Sequence, residues 1–211
     1  MMKSAIQSIM FDLGGVIIDI CRDHCVNALH AIGLANADDV IGLYVQTGAF
    51  QQLERGQITT DEFCQAVRSQ IPDKTVTDLQ VKHAIEQFIT GIPVHRLQQL
   101  RELRKHYRLF VLSNTNPLLF EVRIASEFAQ EGLTTADYFD GLTLSYKAKC
   151  TKPDVEIFDY AAHVMGADPT HTLFLDDGQT NVDAAIAYGY QAALVPPGTE
   201  FADKLKALNL I

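Results

Sequence analysis

Ile6-Gln7-Ser8-Ile9-Met10-Phe11 runs without a charge into Asp12-Leu13-Gly14-Gly15, and this junction sets the reading of the chain. A short apolar run of this kind reads as a strand, and the two glycines behind it as a loop. Asp12 therefore stands where the strand stops. Outward from the junction the pattern changes. From about Arg22 to Phe88, Gly33 is placed to end one helix, and Thr59-x-x-Glu62 and Thr77-x-x-Gln80 are capping boxes that open two others, with Pro72 between them. Strand character is scarce there, so the segment reads as a compact helical bundle of its own.

Past Pro93, helices and strands alternate. Leu97, Leu100, Leu103 and Tyr107 form the apolar stripe of a helix that leads into the strand Leu109-Phe110-Val111-Leu112-Ser113. A helix is expected between Pro117 and Glu131, a short strand near Leu142–Leu144, and a helix from Asp154 to Met165 closed by Gly166. Thr172–Leu175 reads as a strand ending in Asp176-Asp177, Asn181–Tyr188 as a helix closed by Gly189, and Gln191–Val195 as a last strand. Alternation of this kind implies a parallel sheet covered on both faces. The expected fold is α/β: a Rossmann-like, doubly wound core of residues 1–19 and 90–211, with an α-helical cap, 20–89, inserted.

The 211 residues suffice for one substantial domain with a smaller insertion, and 47% hydrophobic with 20% charged residues is an ordinary globular balance. A net charge of −9 argues against nucleic acid or an anionic membrane as the main partner. Asp12 interrupts the apolar N-terminal stretch, nothing there resembles a targeting signal, and no apolar run is long enough to span a bilayer. A cytoplasmic location follows as the expectation. The four cysteines, at 21, 25, 64 and 150, lack C-x-x-C spacing and read as reduced thiols. The seven histidines show no metal-ligand spacing.

In an open α/β sheet, functional groups gather where strands end. The polar residues at those points are Asp12, Ser113-Asn114 and Asp176-Asp177, and Lys152-Pro153 precedes a helix. Each alone is a common turn or cap. Adjacent buried carboxylates such as Asp176 and Asp177 are more telling, because they repel unless a cation binds between them.

As an ordered set these residues resemble the four motifs of the haloacid dehalogenase superfamily: Phe11-Asp12-Leu13-Gly14-Gly15-Val16, then Leu112-Ser113-Asn114, then Lys152-Pro153-Asp154, then Phe174-Leu175-Asp176-Asp177 with Asn181. The resemblance implies a nucleophile at Asp12 that forms an aspartyl-phosphate. It implies Mg²⁺ held by Asp12, Asp177, the Gly14 backbone carbonyl and Asp176, the last directly or through water. Ser113 and Asn114 would hold phosphoryl oxygens, and Lys152 would neutralise charge on nucleophile and phosphate.

The sequence departs from the family at Gly14, where a second aspartate is usual and serves as general acid and base. Its wording is similar to a subgroup that includes α-glucose-1-phosphate phosphatases, as are Glu54-Arg55-Gly56 and Ser113-Asn114-Thr115-Asn116. His24, at the start of the cap, is the nearest substitute proton donor, Asp19 is placed at the cap hinge, and Arg55 is a specificity candidate. The implied function is magnesium-dependent hydrolysis of a small phosphorylated metabolite, a sugar phosphate first. The alternatives are a catalytically weak protein that binds phosphometabolites or a partner, and a 2-haloacid dehalogenase, which would leave the Asp176-Asp177 pair unexplained. The sequence does not specify an oligomeric state.

Overall fold

Residue parity divides the strands between two apolar layers. The computed structural model describes residues 5–42 and 47–211. Its main sheet contains β1 (Ser8–Phe11), β4 (Arg108–Ser113), β5 (Gly141–Leu144), β6 (Thr172–Asp176) and β7 (Gln191–Leu194). The order is β5-β4-β1-β6-β7, with every neighbouring pair parallel. Ile9 and Phe11 of β1 share a cluster with Leu109, Val111, Leu173 and Leu175. Met10, between them, joins Phe110, Leu112 and Phe174 on the other face. Successive strand side chains point to opposite faces, so helices must cover both.

On the first face lies α6 (Val94–Leu103), with Leu97, Leu100 and Leu103 buried. On the second lie α10 (Val155–Met165) and α11 (Gln179–Tyr188), through Ile157, Phe158, Ala161 and Ala185. Gly166 ends α10 in the left-handed conformation that glycine adopts most easily.

The intervening segment carries α1 (Arg22–Ala31), α2 (Ala37–Val40), α3 (Gly48–Glu54), α4 (Thr60–Ser69) and α5 (Asp78–Glu86). Both expected capping boxes are present, at Thr59 with Glu62 and at Thr77 with Gln80. The apolar interior of these helices is continuous with the first layer of the sheet, through residues such as Leu29, Phe50, Phe63 and Ile85. It is not a separate bundle core. Two crossings join the segments, and they pair as an antiparallel ribbon of β2 (Asp19–Ile20) and β3 (Ile89–Gly91).

Three expectations shift. The first strand pairs from Ser8, not Ile6. Tyr107 lies beyond the end of α6, where its hydroxyl donates to the Leu210 carbonyl. The helix expected between Pro117 and Glu131 is present and unbroken, but its winding changes along it, with a π-helical turn over Leu119–Ile124, an α-helical turn α7 (Ala125–Phe128) and a 3₁₀ turn over Ala129–Glu131. Asn116 Oδ1 accepts the Leu119 N–H at its start. The wide first turn brings both Leu119 and Ile124 to the wall of a cavity described below. Among the described residues, no helix is long and apolar enough to cross a membrane.

Candidate active site

β1 is central, with β4 and β6 on its two sides, so the C-terminal ends of three strands meet. Phe11 aligns with Val111 and with Leu175. The Asp12 N–H continues the ladder by donating to the Leu175 carbonyl, 2.8 Å away. Asp12, Ser113 and Asp176 are thereby fixed by sheet register, on backbone that cannot slip without undoing the core.

Lys152 closes the cluster. Its Nζ lies 2.9 Å from Asp12 Oδ1 and 2.6 Å from Asp176 Oδ2, and its side chain is 2% exposed. Asp176 is fully buried, and its other oxygen accepts from the Gly178 N–H and from Asn181 Nδ2. Asp12, Asp176 and Asp177 each offer a carboxylate oxygen, all within 4.8 Å of one another. One lysine thus faces three carboxylates. Burial, helped by Asp176 and Asp177 against Lys152, pushes the Asp12 carboxyl up to about 7. Burial and Asp176 also raise Asp177. Lys152 resists the opposite pull of burial because Asp12 and Asp176 hold its charge, so its pKa rises. A cluster of hard oxygen donors with excess buried negative charge fits a hard divalent cation.

Gly15, not Gly14, requires glycine here. Gly15 has φ of 74°, and a side chain there would overlap the Asp177 carboxylate. At Gly14 a Cβ would meet only Ile20, at an ordinary 3.5 Å.

Ser113 is buried at the end of β4. Asn114 has a role that its sequence position does not announce. Its side chain donates to the Lys152 carbonyl at 3.0 Å and accepts from the Lys152 N–H at 2.8 Å. It clamps the main chain that delivers the lysine.

Beside Gly14, Ser113 and Asn114 is a narrow cavity of about 50 Å³, with Phe50, Glu54 and Leu119 on its walls. Glu54, at the end of α3, is buried. Burial, together with Asp12 and against Lys152, pushes its carboxyl up to about 8. The sequence names Glu54 only within the Glu54-Arg55-Gly56 resemblance and assigns it no role, yet a signal was there. Phe50, Leu53 and Glu54 occupy the i, i+3 and i+4 positions of one helix face, so the acid lies on an apolar stripe.

The other two residues of the turn hold it to the core. Arg55 Nη2 pairs with Asp154 Oδ2 at 2.7 Å, and Lys149 Nζ donates to the Gly56 carbonyl at 2.6 Å. Gly56 has φ of 56°, and a Cβ there would collide with the Tyr146 carbonyl. Arg55, expected as a specificity residue, is turned away as a latch. His24, expected as the nearest proton donor, is exposed in a surface groove with Asn27, Gln80 and His83, because its position on α1 faces outward. Asp19 lies in the β2–β3 ribbon and accepts from Arg96 at 2.7 Å.

The sequence model of the haloacid dehalogenase-like hydrolase family matches residues 6–189. The D-ribitol-5-phosphate phosphatase of Bacteroides thetaiotaomicron is 38% identical over 206 residues, 96% of this chain and 98% of that one. A wild-type haloacid dehalogenase family enzyme of the same organism, solved with magnesium and inorganic phosphate, superposes with a TM-score of 0.88 at 32% identity, covering 95% of this chain and 99% of that one. The L-2-haloacid dehalogenase of Xanthobacter autotrophicus shares the fold, with a TM-score of 0.61 at 17% identity over 97% and 83% of the two chains.

Proposed function

Because the chain belongs to the haloacid dehalogenase-like hydrolases, we propose that it is a magnesium-dependent phosphatase that removes the phosphoryl group of a small phosphorylated polyol or sugar through an aspartyl-phosphate at Asp12. The carrying observation is the strand-end cluster, in which one buried lysine spans Asp12 and Asp176 while Asp177 adds a third carboxylate. Asp12, Asp177 and the Gly14 carbonyl would hold Mg²⁺, with Asp176 contributing through water because Lys152, Gly178 and Asn181 already occupy its oxygens. Bound there, the ion would relieve the repulsion between a carboxylate and a phosphate dianion.

The residues divide the remaining work. Asp12 supplies the attacking oxygen, and a covalent intermediate splits one hard displacement into two easier ones. Lys152 balances charge at the attacking carboxylate, and its burial strengthens that interaction. The Ser113 hydroxyl and the Asn114 N–H bind phosphoryl oxygens, while the Asn114 side chain keeps Lys152 in position. Phe50 and Glu54 of the cap line the narrow cavity beside the cluster, and a ligand enclosed there would be shielded from water.

A polyol phosphate leads because the relative above is named for D-ribitol 5-phosphate, and similarity spans nearly the whole of both chains. A halide displacement would leave the carboxylate excess unused. The test is phosphate release from ribitol 5-phosphate, glucose 1-phosphate and p-nitrophenyl phosphate, with Mg²⁺ and with chelator. Magnesium-dependent release that disappears in Asp12→Asn supports the reading. Release that persists in chelator or in Asp12→Asn contradicts it.

A further inference from the structure

A primary alkoxide is a strong base and a poor leaving group, so expelling it from phosphorus near neutral pH calls for a proton donor within hydrogen-bond reach. The cluster at the strand ends offers none. Lys152 is committed to Asp12 and Asp176, and Asp176 is spent on Lys152, Gly178 and Asn181. Gly14 has no side chain. Among the described side chains that line the cavity beside this cluster, Glu54 alone is ionisable.

We propose that Glu54 is the acid that protonates the leaving oxygen, in the phosphatase reaction proposed above and resting on that reading. In the first step an Asp12 carboxylate oxygen bonds to phosphorus. The bond from phosphorus to the alkoxy oxygen breaks, and that oxygen keeps the electron pair and takes the Glu54 proton, leaving as an alcohol. Glu54, now a carboxylate, then accepts a proton from the water whose oxygen attacks the phosphorus of the aspartyl-phosphate. The bond from phosphorus to Asp12 breaks, phosphate departs, and both carboxyl groups return to their starting states.

Placement and environment agree with this role. The carboxyl is buried, and no described residue donates a hydrogen bond to it. Burial therefore dominates and favours the protonated form, with Asp12 adding to the effect and Lys152, the cation that reaches it, opposing. The neighbouring cations are engaged elsewhere, Arg55 on Asp154 and Lys149 on the Gly56 carbonyl. These two contacts pin the Arg55-Gly56 turn that follows Glu54 to the core, so the acid at the end of α3 is fixed beside the cavity.

The experiment compares Glu54→Gln with the unmodified protein on two esters: ribitol 5-phosphate, with a basic leaving group, and p-nitrophenyl phosphate, whose leaving group needs no proton. The expected result is a fall in kcat of roughly 10²–10⁴ on the first and less than about tenfold on the second. The alkaline decline of kcat on ribitol 5-phosphate should vanish with the carboxyl. Gly14→Asp in the Glu54→Gln background should recover part of the loss, since Gly14 lines the same cavity and has room for a side chain. Equal losses on both esters, or a raised KM with kcat unchanged, would overturn the assignment and make Glu54 a residue of substrate recognition. If instead both esters resist the unmodified protein with Mg²⁺, the phosphatase reading itself falls. A readout independent of turnover is the thermal midpoint of the metal-free protein against pH. The unmodified protein should lose stability as pH rises from about 4.5, where the carboxyl ionises in the unfolded chain, to about 8, where Glu54 ionises in place, and Glu54→Gln should lose less over that range. Identical profiles would overturn the proposal.

Discussion

Asp12 and Glu54 are two buried carboxyl groups at one site, and they are supported in opposite ways. Asp12 stands at the end of a central strand, hydrogen-bonded into the sheet, with the Lys152 ammonium 2.9 Å away. Glu54 rides on the last residue of a seven-residue helix and has no partner of opposite charge within bonding distance among the described residues. The first environment suits a group that must act ionised once a cation completes the charge balance. The second suits a group that must carry a proton. One fold thus provides two carboxyl groups of different character by giving only one of them a lysine.

The largest expected effect breaks the paired side. Asp12→Asn should lower turnover by roughly 10⁴-fold or more, since removal of an attacking group leaves only binding and charge stabilisation. The variant should nonetheless fold, and in metal-free buffer it should melt at a higher temperature than the unmodified protein, because one of three clustered carboxylates is gone. A lower melting temperature would mean that Asp12 is mainly a structural anchor for Lys152.

Lys152→Ala comes next. It leaves Asp12 and Asp176 buried without their cation, and stranding a buried charge costs about 3–5 kcal/mol. Chemical denaturation of the metal-free protein measures this directly. A loss under about 1 kcal/mol would show that the two carboxyls simply take up protons.

Much of the paired side was legible in the sequence. Apolar strands ending in Asp12, in Ser113 and in Asp176 register against one another through the parallel ladder, so spacing along the chain became proximity in space. The unpaired side was harder to read, for a physical reason. Glu54 reaches the site through a helix whose approach depends on contacts with residues far along the chain, at Tyr146, Lys149 and Asp154. The sequence places Arg55 near the site but not which way it points. His24 looked well placed because it opens the cap, yet the turn of α1 carries it to solvent. The Asn114 clamp on Lys152 was invisible for the same reason, since its partners are 38 residues apart.

The glycines sharpen the comparison further. Gly15→Ala should depress activity and magnesium affinity together, because its side chain would displace Asp177. Gly14→Ala should retain a normal melting temperature, there being only a 3.5 Å contact with Ile20 to accommodate. Equal tolerance at the two positions, read from melting curves and a magnesium titration, would mean that the loop relaxes around Asp177.

The smallest expected effect concerns the latch. Arg55→Ala removes a partly exposed pair with Asp154, worth on the order of 1 kcal/mol or less to stability. Its loss should lower kcat on ribitol 5-phosphate more than on p-nitrophenyl phosphate, as Glu54 loses its fixed position. An equal effect on the two esters would separate the latch from proton transfer.

The central claim is that Asp12 carries the phosphoryl group during turnover, and acid quenching tests it most directly. The enzyme is mixed with radiolabelled phosphate ester and Mg²⁺, stopped in acid within the first turnover, digested, and its peptides mapped. The account predicts label on the peptide that contains Asp12, released by hydroxylamine as an acyl phosphate should be, and absent in Asp12→Asn. Label on another peptide, or label-free protein quenched during a burst of alcohol release, would contradict it.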